Sequence, residues 1–219
     1  MSTNWPFLAL FGGVLALFAL ALLLGTLVPS ARLSQSVPID PSNLSLQSDG
    51  PATQRYPQDL SVLIDLPVQL VVGRTETVTI EVRPLPVTPP LAGTLRDATA
   101  ANRPVAVARL SSSLATVRPD GDEGQSLASS DAVRFTWSLA ASEPGAGELT
   151  LLVRLRFYPV AGGTPTERVL LARTLAATAV SVLGMSAPVA QSVGMVALAA
   201  GLGLMLTFGK QAVAWLRRA

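Results

Sequence analysis

The sequence predicts a membrane protein in which two transmembrane α-helices flank an all-β domain, built as an antiparallel β-sandwich. Three observations predict it. Two uncharged apolar blocks, residues 5–28 and 187–208, lie toward the two ends of the chain. The residues between them alternate apolar and polar in several runs separated by Gly- and Pro-rich turns. Only 14% of the 219 residues are charged while 49% are hydrophobic, against about 25% charged in ordinary globular domains, so part of the chain avoids water.

The first block, WPFLALFGGVLALFALALLLGTLV from Trp5 to Val28, has 24 residues without a charge. As a helix it is about 36 Å long, enough to cross a hydrocarbon core of about 30 Å with some tilt. A cleaved signal peptide is the competing reading. It requires a basic leading segment and an apolar run of roughly 7–15 residues, whereas only Ser2, Thr3 and Asn4 after Met1 precede the run and the run is far longer. Pro29 also stands inside the cleavage pattern that Val28 and Ser30 would form. An uncleaved span over 5–28 is therefore expected, after a short cytoplasmic segment 1–4, with Trp5 as an interfacial anchor.

The second block, APVAQSVGMVALAAGLGLMLTF, predicts a span over 187–209 with Pro188 in its first turn, where a missing N–H costs nothing. Lys210, Trp215, Arg217 and Arg218 follow in a basic tail, 210–219. An aromatic and three cations make an interfacial anchor and place that tail on the cytoplasmic side. Two spans return the N-terminus to the same side and leave the middle region outside, periplasmic or extracellular. The 13 Arg and 14 acids between residues 32 and 173 leave that segment at −1, and the tail carries +3. The sequence pI near 9.7 is thus a topology signal and not a nucleic-acid signal.

Small residues recur in both spans at helical spacing: Gly12, Gly13, Ala16 and Ala19 in the first, Gly194, Ala197, Gly201 and Gly203 in the second. They let another helix approach closely. The pattern leaves open whether the spans pack on each other or on a partner. Neither span holds an acid or a base, so neither reads as an ion path or proton relay.

Residues 29–58 carry Pro29, Pro38, Pro41, Pro51 and Pro57 among Ser, Asn, Gln and Asp, with no apolar periodicity. They read as a linker or an irregular strap. Asn43-Leu44-Ser45 is a glycosylation tripeptide of low specificity.

Period-two alternation begins near Leu60 and predicts the β domain over 59–184. Strands are expected at Leu60–Leu66, Thr75–Arg83, Val105–Val117, Val133–Leu139, Leu149–Tyr158 and Arg168–Val182. In the clearest of them Val133, Phe135, Trp137 and Leu139 share one face against Arg134, Thr136 and Ser138. Turns are expected at Pro144-Gly145-Ala146-Gly147 and Gly162-Gly163-Thr164-Pro165. The stretch from Pro67 to Pro84, with Gly73 between two alternating runs, resembles the opening of many bacterial immunoglobulin-like domains. That resemblance implies an immunoglobulin-like sandwich and no particular family; a small closed barrel is the alternative.

With no cysteine and no histidine, the chain excludes disulfides, thiolate or imidazole metal sites, Cys nucleophiles and His-based acid–base catalysis. No enzyme activity, no cofactor, no nucleic acid and no small-molecule substrate are expected. Asp120, Asp122 and Glu123 form one acidic loop able to offer oxygens to Ca²⁺, but it lacks the length and the distal Glu of an EF-hand, and a plain Asp/Gly turn is the simpler account. Arg154 and Arg156, with Arg134 adjacent, form either a cationic patch or a solvated face balanced by neighbouring acids.

The expected function is a non-catalytic accessory or structural subunit of a larger bacterial membrane complex of energy-transducing or transport type, with integral membrane subunits and the bilayer as partners. The alternative is a membrane-anchored binding module for a protein, peptide or glycan, for which Tyr56 and Tyr158 are the external aromatic candidates.

Overall fold

The structure is a computed structural model describing residues 5–27, 29–39, 45–46, 54–55, 59–85, 102–127 and 132–216, with side chains left out at 5–6, 45–46, 54–55 and 209–216. The expectations for residues 1–4, for the Asn43 tripeptide, for Tyr56 and for Arg217 and Arg218 fall outside the described residues. Two compact units emerge. One comprises Ser30–Leu70 and Thr75–Ala179, and the other Met1–Pro29, Val71–Arg74 and Val180–Ala219.

The strands, in chain order, are β1 (Arg32–Pro38), β2 (Ser45–Leu46), β3 (Gln54–Arg55), β4 (Leu60–Pro67), β5 (Leu70–Val71), β6 (Thr75–Pro84), β7 (Asn102–Ser112), β8 (Ala115–Arg118), β9 (Glu123–Ser126), β10 (Val133–Ala141), β11 (Gly145–Pro159) and β12 (Thr166–Val180). The helices are α1 (Trp5–Leu27) and α2 (Ala187–Leu216). One sheet has the order β1-β4-β6-β10-β8 and the other β5-β12-β11-β7-β9, with β2 and β3 in a separate pair. Each large sheet ends in two edge strands, so the closed barrel is not the architecture adopted.

Alternation determines which faces are buried. Along β10 the pattern is strictly buried and exposed by turns: Val133, Phe135, Trp137, Leu139 and Ala141 lie inside, and Arg134, Thr136, Ser138 and Ala140 outside. Leu149, Leu151, Val153, Leu155 and Phe157 do the same in β11, and Val78, Ile80 and Val82 in β6. Burial of a Leu, Val or Phe side chain stabilises by about 1.5–3 kcal/mol, so this two-sided apolar layer is what holds the β domain together. The Phe135 and Trp137 rings stack within it, centroids 6.0 Å apart.

Four features differ from the sequence reading. The stretch 29–58, read as a linker or irregular strap, contains a strand: β1 pairs with β4 over seven residues, Arg32 opposite Pro67 and Pro38 opposite Ser61. An edge strand of this kind is held by main-chain pairing and leaves most of its side chains exposed, so it needs no apolar periodicity. Arg32 secures it, its Nε donating to both carboxylate oxygens of Asp65 at 2.9 and 3.1 Å and a terminal nitrogen to the Thr77 carbonyl.

The run Val105–Val117 is two strands rather than one, because the chain passes from one sheet to the other at Ser113–Leu114. The Ser112 hydroxyl accepts from the N–H groups of Leu114 and Ala115, and the Ser113 hydroxyl accepts from that of Glu148. Short hydroxyl side chains thus satisfy the backbone where the ladder is interrupted.

Gly145, Ala146 and Gly147, read as a turn, begin β11 instead, with the reversal at Ser142–Glu143. Gly147 serves the crossover: a Cβ there would meet Leu114 Cβ and Ser113 Oγ at 2.8 Å. Finally, α2 continues to Leu216 rather than ending at 209. Residues 210–216 contain no Gly or Pro, and Lys, Gln, Ala and Leu all favour helix whether or not lipid surrounds them.

Candidate functional site

Both helices are long and apolar enough to cross a membrane, over Phe7–Leu27 and Ala187–Phe208. They pack antiparallel on each other. On α1, Gly12, Ala19, Leu22 and Thr26 are buried; on α2, Ala187, Ala190, Gly194 and Gly201 are. Gly12, Ala19 and Thr26 are seven residues apart, as are Ala187, Gly194 and Gly201, so the seam follows a heptad with small residues at its crossing points.

A Cβ on Gly201 would stand 2.7 Å from the Gly12 carbonyl oxygen and 2.8 Å from the Ala16 nitrogen. One on Gly194 would stand 3.0 Å from Leu23 Cγ and 3.3 Å from the Ala19 carbonyl. Gly13 and Gly203, counted with the packing residues from sequence, face nothing within 4 Å and belong to the outer surfaces. Ala197 is half-buried beside the seam.

Hydroxyls in the spans are satisfied by their own helices: Thr26 donates to the Leu23 carbonyl, Ser192 to that of Pro188 and Thr207 to that of Gly203. The anchors Trp5, Lys210 and Trp215 lie within helical backbone, but their side chains are outside the described set.

A small β collar closes the end where α1 stops and α2 starts. Val72 donates to the Val180 carbonyl at 2.9 Å, and its own carbonyl accepts from the N–H of Ala187, the first residue of α2, at 2.7 Å. One of the orphan donors of the helix start is thereby satisfied. Gly73, at φ 78°, lies where a Cβ would be 2.8 Å from Pro188 Cδ, so both its conformation and its space require glycine. Val182 and Met185 exchange two backbone hydrogen bonds around a turn formed by Leu183 and Gly184.

On the β domain the charged residues form ion pairs. Arg154 bonds Asp122 and Glu167, and Arg156 bonds Glu167 and Tyr158. The Tyr158 hydroxyl and then Glu167 hold the Arg156 guanidinium more firmly protonated than usual. Burial pushes the Glu167 carboxyl up, and the bonds from Arg156 and Arg154 outweigh it, leaving it below its ordinary range. The balanced-face reading describes Arg154 and Arg156. Arg134 is not adjacent to them; it stands in the other sheet and bonds Glu81.

Of the calcium candidates, Asp122 is committed to Arg154, Glu123 begins β9 and Asp120 is exposed. Among the described residues no three acids gather into a metal-holding cluster.

Sequence reasoning did not single out Glu76 and Glu81, each 7% exposed on β6. Glu76 accepts from the Ser30 hydroxyl at 2.7 Å. Glu81 accepts from Arg83 and Arg134 beside a shallow depression of about 260 Å³ that Leu63, Asp65 and Thr79 also line. A carboxylate directly opposite Arg134 in the β6–β10 register was the available signal, and it needed the pairing to be known.

The bonds from Arg83 and Arg134 hold the Glu81 carboxyl below its ordinary value of 4.5 despite burial. Its contribution to stability is whole above that pH and is lost as pH falls through the lower folded-state value. Thermal midpoints should therefore drop on acidification below about pH 4.5. Glu81→Gln should start about 1–2 kcal/mol less stable and fall less steeply; equal acid slopes would remove Glu81 from the account.

No family model and no curated protein matches the chain. Among solved structures it is similar to the D00-D0 domain of Intimin, over 70% of this chain and 94% of that one, at 12% identity and a TM-score of 0.22. A superposition that loose defines no shared activity.

The availability of small residues for helix packing was legible because their one-turn spacing is conspicuous; that the two helices pack on each other was not. Which of those residues face inward required the crossing geometry. The collar was not legible, since Val71–Arg74 and Val180–Ser186 are distant in sequence and carry no motif.

Proposed function

We propose that this chain is a membrane-anchored, non-catalytic structural subunit of a larger membrane complex of energy-transducing or transport type. Its helical hairpin crosses the bilayer with both termini cytoplasmic and the β domain on the outer side. One observation carries the reading. The hairpin seals its own seam largely with Gly and Ala, yet only 17% of each apolar span is buried, and most of its large apolar side chains are exposed. Phe7, Leu10, Phe11 and Leu17 on α1 and Val196 and Leu206 on α2 are among them. Apolar surface on that scale fits lipid and the helices of integral membrane subunits.

The orientation rests on Lys210, Arg217 and Arg218. The immunoglobulin-like assignment rests on strand order: β4-β6-β10-β8 and β12-β11-β7 correspond to the A-B-E-D and G-F-C sheets of that fold. The non-catalytic assignment is supported by Asp65, Glu81, Asp122 and Glu167 each being engaged by arginine.

A second reading, a membrane-anchored binding module, draws on the depression around Glu81, whose partners Arg83 and Arg134 are themselves half or more exposed. Native electrophoresis after mild detergent extraction separates the two. A subunit migrates well above dimer size with co-purifying membrane chains, whereas migration as monomer or dimer overturns the subunit reading. Protease added to intact cells should digest the β domain; protection of it would reverse the orientation.

A further inference from the structure

Two-residue hairpin turns that need positive φ at the first central position are normally filled by Asn, Asp or Gly. Between Val182 and Met185 that position holds Leu183 at φ 51°, followed by Gly184 at 77°. Leu183 is the one non-glycine residue with positive φ among those described. A leucine there carries backbone strain, and it is 68% exposed, so packing among the described residues does little to offset that strain.

The depth of this turn along the hairpin follows from its neighbours. Val182 Cγ1 lies 3.5 Å from where a Cβ on Gly25 would stand, and Gly25 is inside the last turn of the apolar span Phe7–Leu27. On the other side, Met185 is followed after Ser186 by Ala187, the first residue of the second span. The turn therefore stands level with the ends of both apolar spans. Leu27 and Val189, which mark those ends, are also exposed. From Thr174 to Gly209 the chain carries no charge, so the uncharged stretch extends from the second helix back through the Val182–Met185 turn. At that level a bilayer passes from acyl chains to headgroups, a zone that accepts apolar side chains beside polar backbone.

We infer that the Leu183–Gly184 turn is a lipid-inserting foot: Leu183 enters the boundary between acyl chains and headgroups in the leaflet where α1 ends and α2 begins. Lipid contact supplies the burial that the protein does not, and it keeps a leucine where a water-facing turn would hold asparagine. The foot sets how deep the hairpin seats, because the collar ties it to the start of α2 through Val72. This inference rests on the hairpin crossing the bilayer, and its test separates the two.

The chain has no cysteine, so Leu183→Cys and, separately, Val196→Cys each provide a single site for an environment-sensitive fluorophore. Val196 lies well inside the second span. The full-length proteins are reconstituted in phosphatidylcholine vesicles. Quenching is read with nitroxide lipids labelled either next to the headgroup or midway down the acyl chain, and with iodide in the water.

The foot predicts blue-shifted emission at 183, strongest quenching by the shallow nitroxide and little by iodide, with 196 quenched most by the deep nitroxide. A label at 183 that iodide quenches while 196 remains in lipid overturns the foot and leaves the span reading standing. Blue-shifted emission at 183 that no quencher reaches means burial in protein and also overturns it. Iodide quenching at 196 overturns the spanning hairpin and the foot together.

Discussion

Gly201→Leu should force α1 and α2 apart. The new side chain would begin with a Cβ 2.7 Å from the Gly12 carbonyl oxygen and 2.8 Å from the Ala16 nitrogen. Both are backbone atoms of the facing helix, so no rotamer change clears them. Overpacking a well-fitted site costs about 1–3 kcal/mol when side chains can yield, and here a helix has to move instead. Spin labels on Leu17→Cys and Val196→Cys, both exposed positions, report the separation in detergent. The expected result is a longer and broader distance distribution. Gly203→Leu is the matched control, because a Cβ there meets nothing within 4 Å. It leaves the distance unchanged, so the pair separates the seam from a general intolerance of leucine. An unaltered distance in Gly201→Leu would remove the seam itself.

Trp137→Ala should be the most damaging single change in the β domain. Trp137 is 0% exposed, lies on the inward face of β10 and stacks on Phe135. Removing a buried aromatic costs about 3–5 kcal/mol, a large part of the roughly 5–15 kcal/mol that stabilises a typical domain. Trp137→Phe should cost much less. It keeps a ring against Phe135 and removes an indole N–H that is buried with no acceptor among the described residues, a group that costs about 1–3 kcal/mol to leave unpaired. Thr136→Ala, one residue along on the exposed face, should change little. Urea unfolding followed by circular dichroism ranks the three. Equal midpoints for Trp137→Ala and Thr136→Ala would contradict the inward-facing layer.

The pattern of agreement between sequence and structure has a physical cause. β10 and β11 were legible to within a few residues because a strand with one buried face must alternate, and alternation is written in the side chains. The two apolar helices were legible because each contains an uncharged run of more than twenty residues rich in helix-forming Leu and Ala. β1 was missed because an edge strand is held by backbone pairing, to which Arg32-Leu-Ser-Gln-Ser-Val-Pro38 contributes N–H and C=O groups that every sequence has. The division of Val105–Val117 was missed because Ser112 and Ser113 act through hydroxyls, Ser112 on the local N–H groups of Leu114 and Ala115 and Ser113 on that of Glu148, and the last depends on where a distant strand arrives. Arg134 was grouped with Arg154 by its charge, and pairing across β6 gave it to Glu81 instead.

The candidate surfaces divide along the same line. Sequence by itself determined that two chargeless apolar runs bracket an alternating β region, that small residues are available for helix packing, and that no histidine or cysteine chemistry is open to this chain. These are properties of composition and period, and they survive any rearrangement in space. Only the tertiary structure decided that α1 and α2 pack on each other. It also chose Gly12, Gly194 and Gly201 over Gly13 and Gly203 as the crossing points, paired Asp122 with an arginine, and left Leu183 strained and exposed beside the helix ends. Each of those depends on which distant residues meet, and a one-dimensional pattern holds no information about approach distance.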